Sequence, residues 1–278
     1  MNRDALWAGR KGRLVKAASG NIKLRSIALP AEHGSWGLVL EPIVLGLLVA
    51  PSWPGLAIGL GAFAVFLTRR PFKVLLAAGA DARSSGRRVI AARFLAGYAV
   101  VAAACFLAAA GSGGLRPFVP LLATSPLVLL FLAYDVRKQS RSWQPEVAGA
   151  VVFAAVTAAI ARAGGWLLGP ALALSAALAL RAIPAVLYVR ARIRLERGRE
   201  AGAAGPVAAH VAAVLAVAWL CRAALLPWPA VLPFVMLLGR AAVGLSGLRQ
   251  PVTTTRLGFT EMAYGALTVL CIAAGYRL

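Results

Sequence analysis

The chain has 278 residues, of which 60% are hydrophobic, and its mean hydropathy is +0.78. Apolar runs recur along nearly its whole length, which is more than a soluble core needs and is typical of a polytopic membrane protein. A formal net charge of +21 would suit nucleic acid. The arginines, however, lie in short loops between apolar segments, so the sequence predicts membrane lipids as partners and no nucleic acid.

The predicted organisation is a basic cytoplasmic tail over residues 1–28, followed by a transmembrane helical domain over residues 29–278. Because about 20 apolar residues cross a bilayer, this domain divides into about nine predicted spans. They lie near 33–50, 53–68, 89–110, 117–134, 147–163, 166–188, 207–226, 228–246 and 257–275. The second is the weakest, since Arg69-Arg70-Pro71 interrupts it and residues 72–78 either continue the helix or lie at the interface. The predicted fold class is an all-α membrane helix bundle.

The distribution of lysine and arginine predicts the orientation, because cytoplasmic loops carry an excess of these residues. With the amino terminus in the cytoplasm, 24 of the 30 basic residues fall on the cytoplasmic side. We therefore expect a multi-pass protein of the cytoplasmic (inner) membrane, with its amino terminus inside and its carboxyl terminus outside.

Four ionisable residues are predicted in the inner halves of the spans: Glu41, Arg181, Arg240 and Glu261. A charge inside the bilayer costs about 2.5–3.5 kcal/mol on insertion scales, so it usually has a partner and often a function. Taken singly, each of these residues could equally well form an ion pair that only holds two helices together. Their common depth instead favours a basic cavity that opens to the cytoplasm, and which glutamate pairs with Arg181 is open at this point.

Basic residues also follow two of the predicted spans. On the sixth, Arg181, Tyr188 and Arg192 share one helical face, and Arg190 lies at the exit. Arginines at such exits either anchor the helix to anionic lipid head groups or bind an anionic substrate. The candidate substrate-binding residues are Arg69, Arg70, Arg181, Tyr188, Arg190, Arg240 and Glu261.

Candidate acid–base residues open the first span, where Glu32 and His33 precede Glu41. A histidine beside a glutamate is more often a hydrogen-bonded pair than a catalyst. No metal site is predicted, because the other histidine, His210, has no carboxylate or cysteine at ligand spacing. The three cysteines lie apart in apolar segments without a CxxC pair and are interpreted as small core residues.

Four motifs resemble the YwiC-like family of bacterial integral membrane proteins. They are Leu29-Pro-Ala-Glu-His-Gly-Ser-Trp36, Tyr134-Asp135 followed by Glu146-Val-Ala-Gly149, Arg181-Ala-Ile-Pro-Ala-Val-Leu-Tyr-Val-Arg-Ala-Arg-Ile-Arg194, and Gly258-Phe-Thr-Glu261. The resemblance covers nearly everything after residue 28. It implies a membrane topology and leaves the chemistry open.

A more distant similarity is to the UbiA superfamily of intramembrane prenyltransferases. It implies a UbiA-like arrangement of nine helices, a lateral opening towards lipid, and functional loops after the second and sixth helices. Those enzymes hold Mg²⁺ there through aspartate-rich motifs, whereas this chain has only Asp81, Glu196 and Glu200 among arginines. Mg²⁺ therefore lacks its usual ligands and the cofactor is left unknown. Arginines would instead bind a diphosphate or carboxylate directly.

Three hypotheses follow for the function. The first is a UbiA-like prenyltransferase relative acting on an anionic isoprenoid or lipid-like substrate. In it Glu32, His33 or Glu41 serve as acid–base groups, and the anionic head is bound by Arg69, Arg70, Arg181 and Arg190. The second is a small-anion transporter with Arg181 and Arg240 midway. The third is a non-catalytic membrane scaffold or binding subunit, which the missing aspartate motifs favour.

Overall fold

The computed structural model describes residues 24–30, 33–77, 82–137, 139 and 142–277, with backbone only for 33–35 and 82–85. Within them the chain forms eleven α-helices and no strand. The helices are α1 Arg25–Ala28, α2 His33–Val49, α3 Trp53–Ala77, α4 Ala82–Gly113, α5 Val119–Ala123, α6 Ser125–Val136, α7 Trp143–Ala163, α8 Leu168–Glu196, α9 Ala204–Arg222, α10 Val231–Gly244 and α11 Thr254–Gly275. Short 3-10 helices, Arg116–Phe118 and Trp228–Ala230, precede α5 and α10. The all-α class is confirmed, whereas most of the predicted tail lies outside the described residues.

The second and fourth predicted spans each have a proline near a possible break, and only the fourth is broken there. In the second, α3 continues through Pro71 to Ala77, so the helix does not stop at the arginines. The fourth is broken between Arg116–Ala123 and Ser125–Val136, which meet at 43°. Pro126 lies in the first turn of α6, and its missing backbone N–H removes one hydrogen bond to the preceding turn, which weakens the helix at this break.

The number of membrane spans differs from the prediction. Within the described part of the chain, five helices (α4, α7, α8, α9 and α11) are long and apolar enough to cross a membrane, and the bent pair would make six. The helix α2 has 17 residues, about 25 Å at 1.5 Å per residue, which is shorter than a hydrocarbon core of about 30 Å. Every predicted span coincides with helix, but the count of nine spans is not confirmed. The orientation stays a prediction.

The chain divides into two compact units, Met1–Ala31 with Leu67–Val100 and Glu32–Phe66 with Val101–Leu278. In the first unit α1 is held by two side-chain hydrogen bonds. Arg70 Nε donates to the Ser26 carbonyl at 2.9 Å, and the Tyr98 hydroxyl donates to the Ala28 carbonyl at 3.4 Å. These bonds connect α1 with the end of α3 and with α4.

The second unit is built around α7 and α8, which pack closely along their length. Alanine makes this approach possible, because small side chains let helix backbones come together in membrane proteins. The largest core cluster contains Ala154, Ala158, Ala161, Ala171, Ala173 and Ala177, all buried. On the other side of α7, α2 packs against it, and the Thr157 hydroxyl donates to the Pro42 carbonyl at 3.0 Å. This bond fixes α2 at the residue next to Glu41.

Candidate functional site

Four charged side chains from four helices meet inside the second unit: Glu41 of α2, Arg181 of α8, Arg240 of α10 and Glu261 of α11. We call them the arginine–glutamate cluster. Only 4% of the Arg181 side chain and 10% of the Glu41 side chain are exposed, and Arg240 and Glu261 are exposed by 12% each. The structure thus brings together the four residues that the sequence placed at one depth. Two guanidinium groups balance two carboxylates, so the cluster has no formal net charge.

Arg181 binds both acidic residues, but in different ways. Its Nη1 lies 3.1 Å from Glu41 Oε2, and its Nη2 donates to the backbone carbonyl of Glu261 at 2.5 Å. Glu41 is therefore the carboxylate that pairs with Arg181. Gly265 makes room for it, because a Cβ atom there would lie 1.9 Å from Glu41 Oε1. A side chain on α11 at this position would displace the carboxylate.

Arg240 lies between two tyrosine rings. Its guanidinium carbon is 4.2 Å from the centroid of Tyr188 and 4.7 Å from that of Tyr264, a geometry in which the ring quadrupole attracts the cation. Its Nη1 donates to Glu261 Oε1 in a close contact. Its Nε and Nη2 are buried and have no hydrogen-bond partner among the described residues. One edge of this guanidinium therefore has no hydrogen-bond partner in the described part of the chain.

The cluster has further polar atoms that the described residues do not satisfy. They are Glu41 Oε1, Glu261 Oε2 and Arg181 Nε. A buried polar atom without a hydrogen bond costs about 1–3 kcal/mol, so such atoms favour a group that can both donate and accept. The arrangement is suited to binding a polar head group in apolar surroundings.

His210 and Tyr264 extend this site beyond the sequence prediction. The His210 ring meets Tyr188 edge-on at 6.3 Å, and its Nδ1 lies 2.8 Å from the Pro206 carbonyl. Because a carbonyl only accepts, Nδ1 carries the proton of the neutral ring and the buried Nε2 is an acceptor. That Nε2 has no partner in the described part of the chain. Tyr264 had one signal in the sequence, its position three residues after Glu261 on the same helical face.

Arg190 lies apart from the cluster, although it is on the same helix as Arg181. Its Nη1 is 3.0 Å from Glu146 Oε2 at the start of α7, and both side chains are 37% exposed. The spacing explains this: residues nine positions apart on a helix point in opposite directions. The structure places Arg190 in a half-exposed ion pair with its neighbouring helix.

The side chains of four further predicted residues lie in the first unit or outside the described residues. Arg69 and Arg70 lie on the part of α3 that belongs to the first unit, where Arg70 binds the Ser26 carbonyl. Glu32 and the side chain of His33 fall outside the described residues. The acid–base role of these two residues stays a prediction.

Arg192 holds the connection between α10 and α11 against α8. Its Nη1 donates to the Gly244 carbonyl at 2.5 Å, and its Nη2 donates to the Gln250 carbonyl and lies 2.8 Å from Glu196. A cavity of about 360 Å³ adjoins this contact. It is lined by Leu195, Glu196, Gly247, Arg249 and Pro251. Arg192 shares its buried face with Arg181 and Tyr188, as the helical spacing predicted.

The described residues do not fit the magnesium site that the UbiA similarity implies. Among them no group of three or more histidine, cysteine, aspartate or glutamate side chains could hold a metal ion. Glu196 is engaged by Arg192, and Asp81 lies outside the described residues. We therefore derive no metal-dependent step.

The comparison with known protein families gives one match. The family model described as YwiC-like protein matches residues 29–161, which include Glu41 and Glu146. No curated protein and no solved structure matches the chain significantly. Together with the five apolar helices, the match indicates an integral, multi-pass membrane protein. The resemblance to the YwiC-like family predicted from the sequence is therefore supported over residues 29–161 of this chain.

Proposed function

We propose that this membrane protein binds an anionic isoprenoid or other lipid-like substrate, with its head group at the arginine–glutamate cluster. The observation that carries the proposal is the buried, unpartnered edge of Arg240. Nε and Nη2 lie on the same side of a guanidinium, so one phosphate or carboxylate group can accept from both at once. The Tyr188 and Tyr264 rings both lie within cation–π distance of this guanidinium and help to hold it in place.

The position of Arg240 on α10 supports a substrate with an apolar tail. Its neighbours on one side, Met236 and Val243, are 43% and 54% exposed, and a Cβ at Gly239 would meet no atom within 4 Å. In a membrane an uncovered apolar helix face contacts lipid. In this proposal the apolar tail remains in the bilayer beside these exposed residues, while the head group reaches the Arg240 guanidinium.

Arg181 has a different role in this proposal. Both of its Nη atoms are already engaged, one by Glu41 and one by the Glu261 carbonyl. It therefore acts as a positioning residue that holds α2, α8 and α11 around the cluster. Arg240 contacts the substrate.

Binding of farnesyl diphosphate to the full chain in lipid nanodiscs tests the proposal. We expect the wild type to bind and Arg240→Gln to bind about 10- to 150-fold more weakly, since a hydrogen bond to a charged group contributes about 1.5–3 kcal/mol. Arg222→Gln, at the exposed end of α9, is the matched control and should bind as the wild type does. Isothermal titration calorimetry gives both affinities.

Two further arms identify the ligand class. Inorganic pyrophosphate should bind at least ten-fold more weakly than farnesyl diphosphate, because it has no tail to place in the bilayer; equal affinities would point to a free small anion. Binding only in the presence of Mg²⁺ would contradict direct recognition by arginine. If the wild type binds neither compound, or Arg240→Gln has no effect, the proposal is wrong.

A further inference from the structure

The charge balance of the cluster has a consequence for any anion that binds there. Two guanidinium groups already face two carboxylates, all four of them largely buried. An anionic head group would leave the site with an excess negative charge in apolar surroundings. Such a charge is strongly unfavourable unless a group nearby neutralises it.

We propose that the cluster binds its anionic ligand together with a proton, and that Glu41 accepts this proton. The inference rests on the proposed function and adds a second, coupled ligand to it. A proton from solvent binds Glu41 Oε1 and converts the carboxylate into a neutral carboxylic acid, with no other bond formed or broken. The site then carries one net positive charge, from Arg181 and Arg240 against Glu261, and this charge offsets one negative charge of the head group.

The surroundings of the two Glu41 oxygens support this assignment. Oε2 lies 3.1 Å from Arg181 and can still accept from it after protonation. Oε1 is buried without a partner among the described residues. Oε1 lies against one glycine on α2, Gly37, and one on α11, Gly265. A Cβ atom at these positions would be 2.9 Å and 1.9 Å from Oε1, respectively. Neither position offers a side-chain donor that would hold the carboxylate charged at Oε1.

The groups on α7, α8 and α11, which pack most closely against α2, are consistent with this choice. The helix α8 contributes Arg181, α11 contributes Glu261, and α7 contributes Thr157, whose hydroxyl is engaged by the Pro42 carbonyl. On α10, Arg240 contacts Glu261 directly. Glu261 is therefore held by Arg240, the residue proposed to bind the ligand. Protonation of Glu41 removes its charge and leaves the contact between Arg240 and Glu261 intact.

The pH dependence of farnesyl diphosphate affinity, compared between wild type and Glu41→Gln, tests the inference. Glutamine mimics the protonated acid, and ionisation of the ligand itself is common to both proteins and cancels. Between pH 6 and 8 we expect the affinity of the wild type to fall up to ten-fold more per pH unit than that of Glu41→Gln. Calorimetry in two buffers of different ionisation enthalpy should show one more proton taken up by the wild type.

Several outcomes would overturn the inference. Equal proton uptake by wild type and Glu41→Gln is one, and loss of the uptake in Glu261→Gln but not in Glu41→Gln is another. Glu146→Gln, in the half-exposed pair on α7, should keep the wild-type uptake. If Glu41→Gln does not fold, the wild type alone still tests the inference. Proton uptake on binding that is no larger than the ligand's own ionisation accounts for would contradict the inference. If the wild type does not bind the ligand at all, the proposed function is wrong. If it binds the ligand without taking up a proton, only the inference about Glu41 is wrong.

Discussion

Breaking the pair between Glu41 and Arg181 should strongly destabilise the protein. Two unit charges 3.1 Å apart attract by about 5 kcal/mol at an effective dielectric constant of about 20. Removing one partner of a buried pair typically costs about 3–5 kcal/mol, because the other charge is left uncompensated. We expect Arg181→Met to lower the free energy of unfolding by this amount, with an added contribution from the lost bond to the Glu261 carbonyl.

A double-mutant cycle isolates the pair from these other losses. Glu41→Met, Arg181→Met and the double variant are unfolded by sodium dodecyl sulfate in mixed micelles, and the free energy of unfolding is measured for each. The double variant buries no unpaired charge, so it should be less destabilised than the sum of the single variants by about 3 kcal/mol. A coupling energy below about 1 kcal/mol would refute the reasoning, since that is the range of exposed pairs.

The pair between Arg190 and Glu146 provides the control for burial. Its atoms are 3.0 Å apart, as close as those of Arg181 and Glu41, but both side chains are 37% exposed. Solvent screens such a pair, so the same cycle should give a coupling of about 0–1 kcal/mol. Equal coupling energies in the two cycles would show that burial does not set the strength of the inner pair.

Two other substitutions test the packing around the site. Gly265→Ala should lower the thermal midpoint of unfolding in detergent, because its Cβ would lie 1.9 Å from Glu41 Oε1. Gly239→Ala is the control and should leave the midpoint unchanged, since its Cβ would meet no atom within 4 Å. Similar midpoints for the two variants would contradict the close approach at Gly265. Arg192→Gln removes the bonds that fix the connection over residues 245–253, and trypsin should then cut this segment several-fold faster. An unchanged cleavage rate would show that other contacts hold it.

The sequence predicted the helices well, because each apolar run needs a helix to satisfy its backbone hydrogen bonds in a membrane. It was less successful with the spans. A run of apolar residues does not show how far a helix extends or whether it is bent, so the count of nine, which includes the short α2 and the segment broken at Pro126, is not confirmed. The continuation of α3 through Pro71 could not be decided from composition either.

The sequence by itself predicted that four charged residues lie at one depth. The cost of a charge in a membrane makes Arg181 and Arg240 conspicuous, and their position along each predicted span sets the expected level. Only the tertiary structure decided their partners. Glu41 and Arg181 are 140 positions apart, and the approach of α2 to α11 at Gly265 selects the pairing. Packing also turned Arg190 away towards Glu146 and placed Tyr264 over Arg240. Depth follows from local composition, whereas the distance between two side chains depends on how the helices that carry them pack.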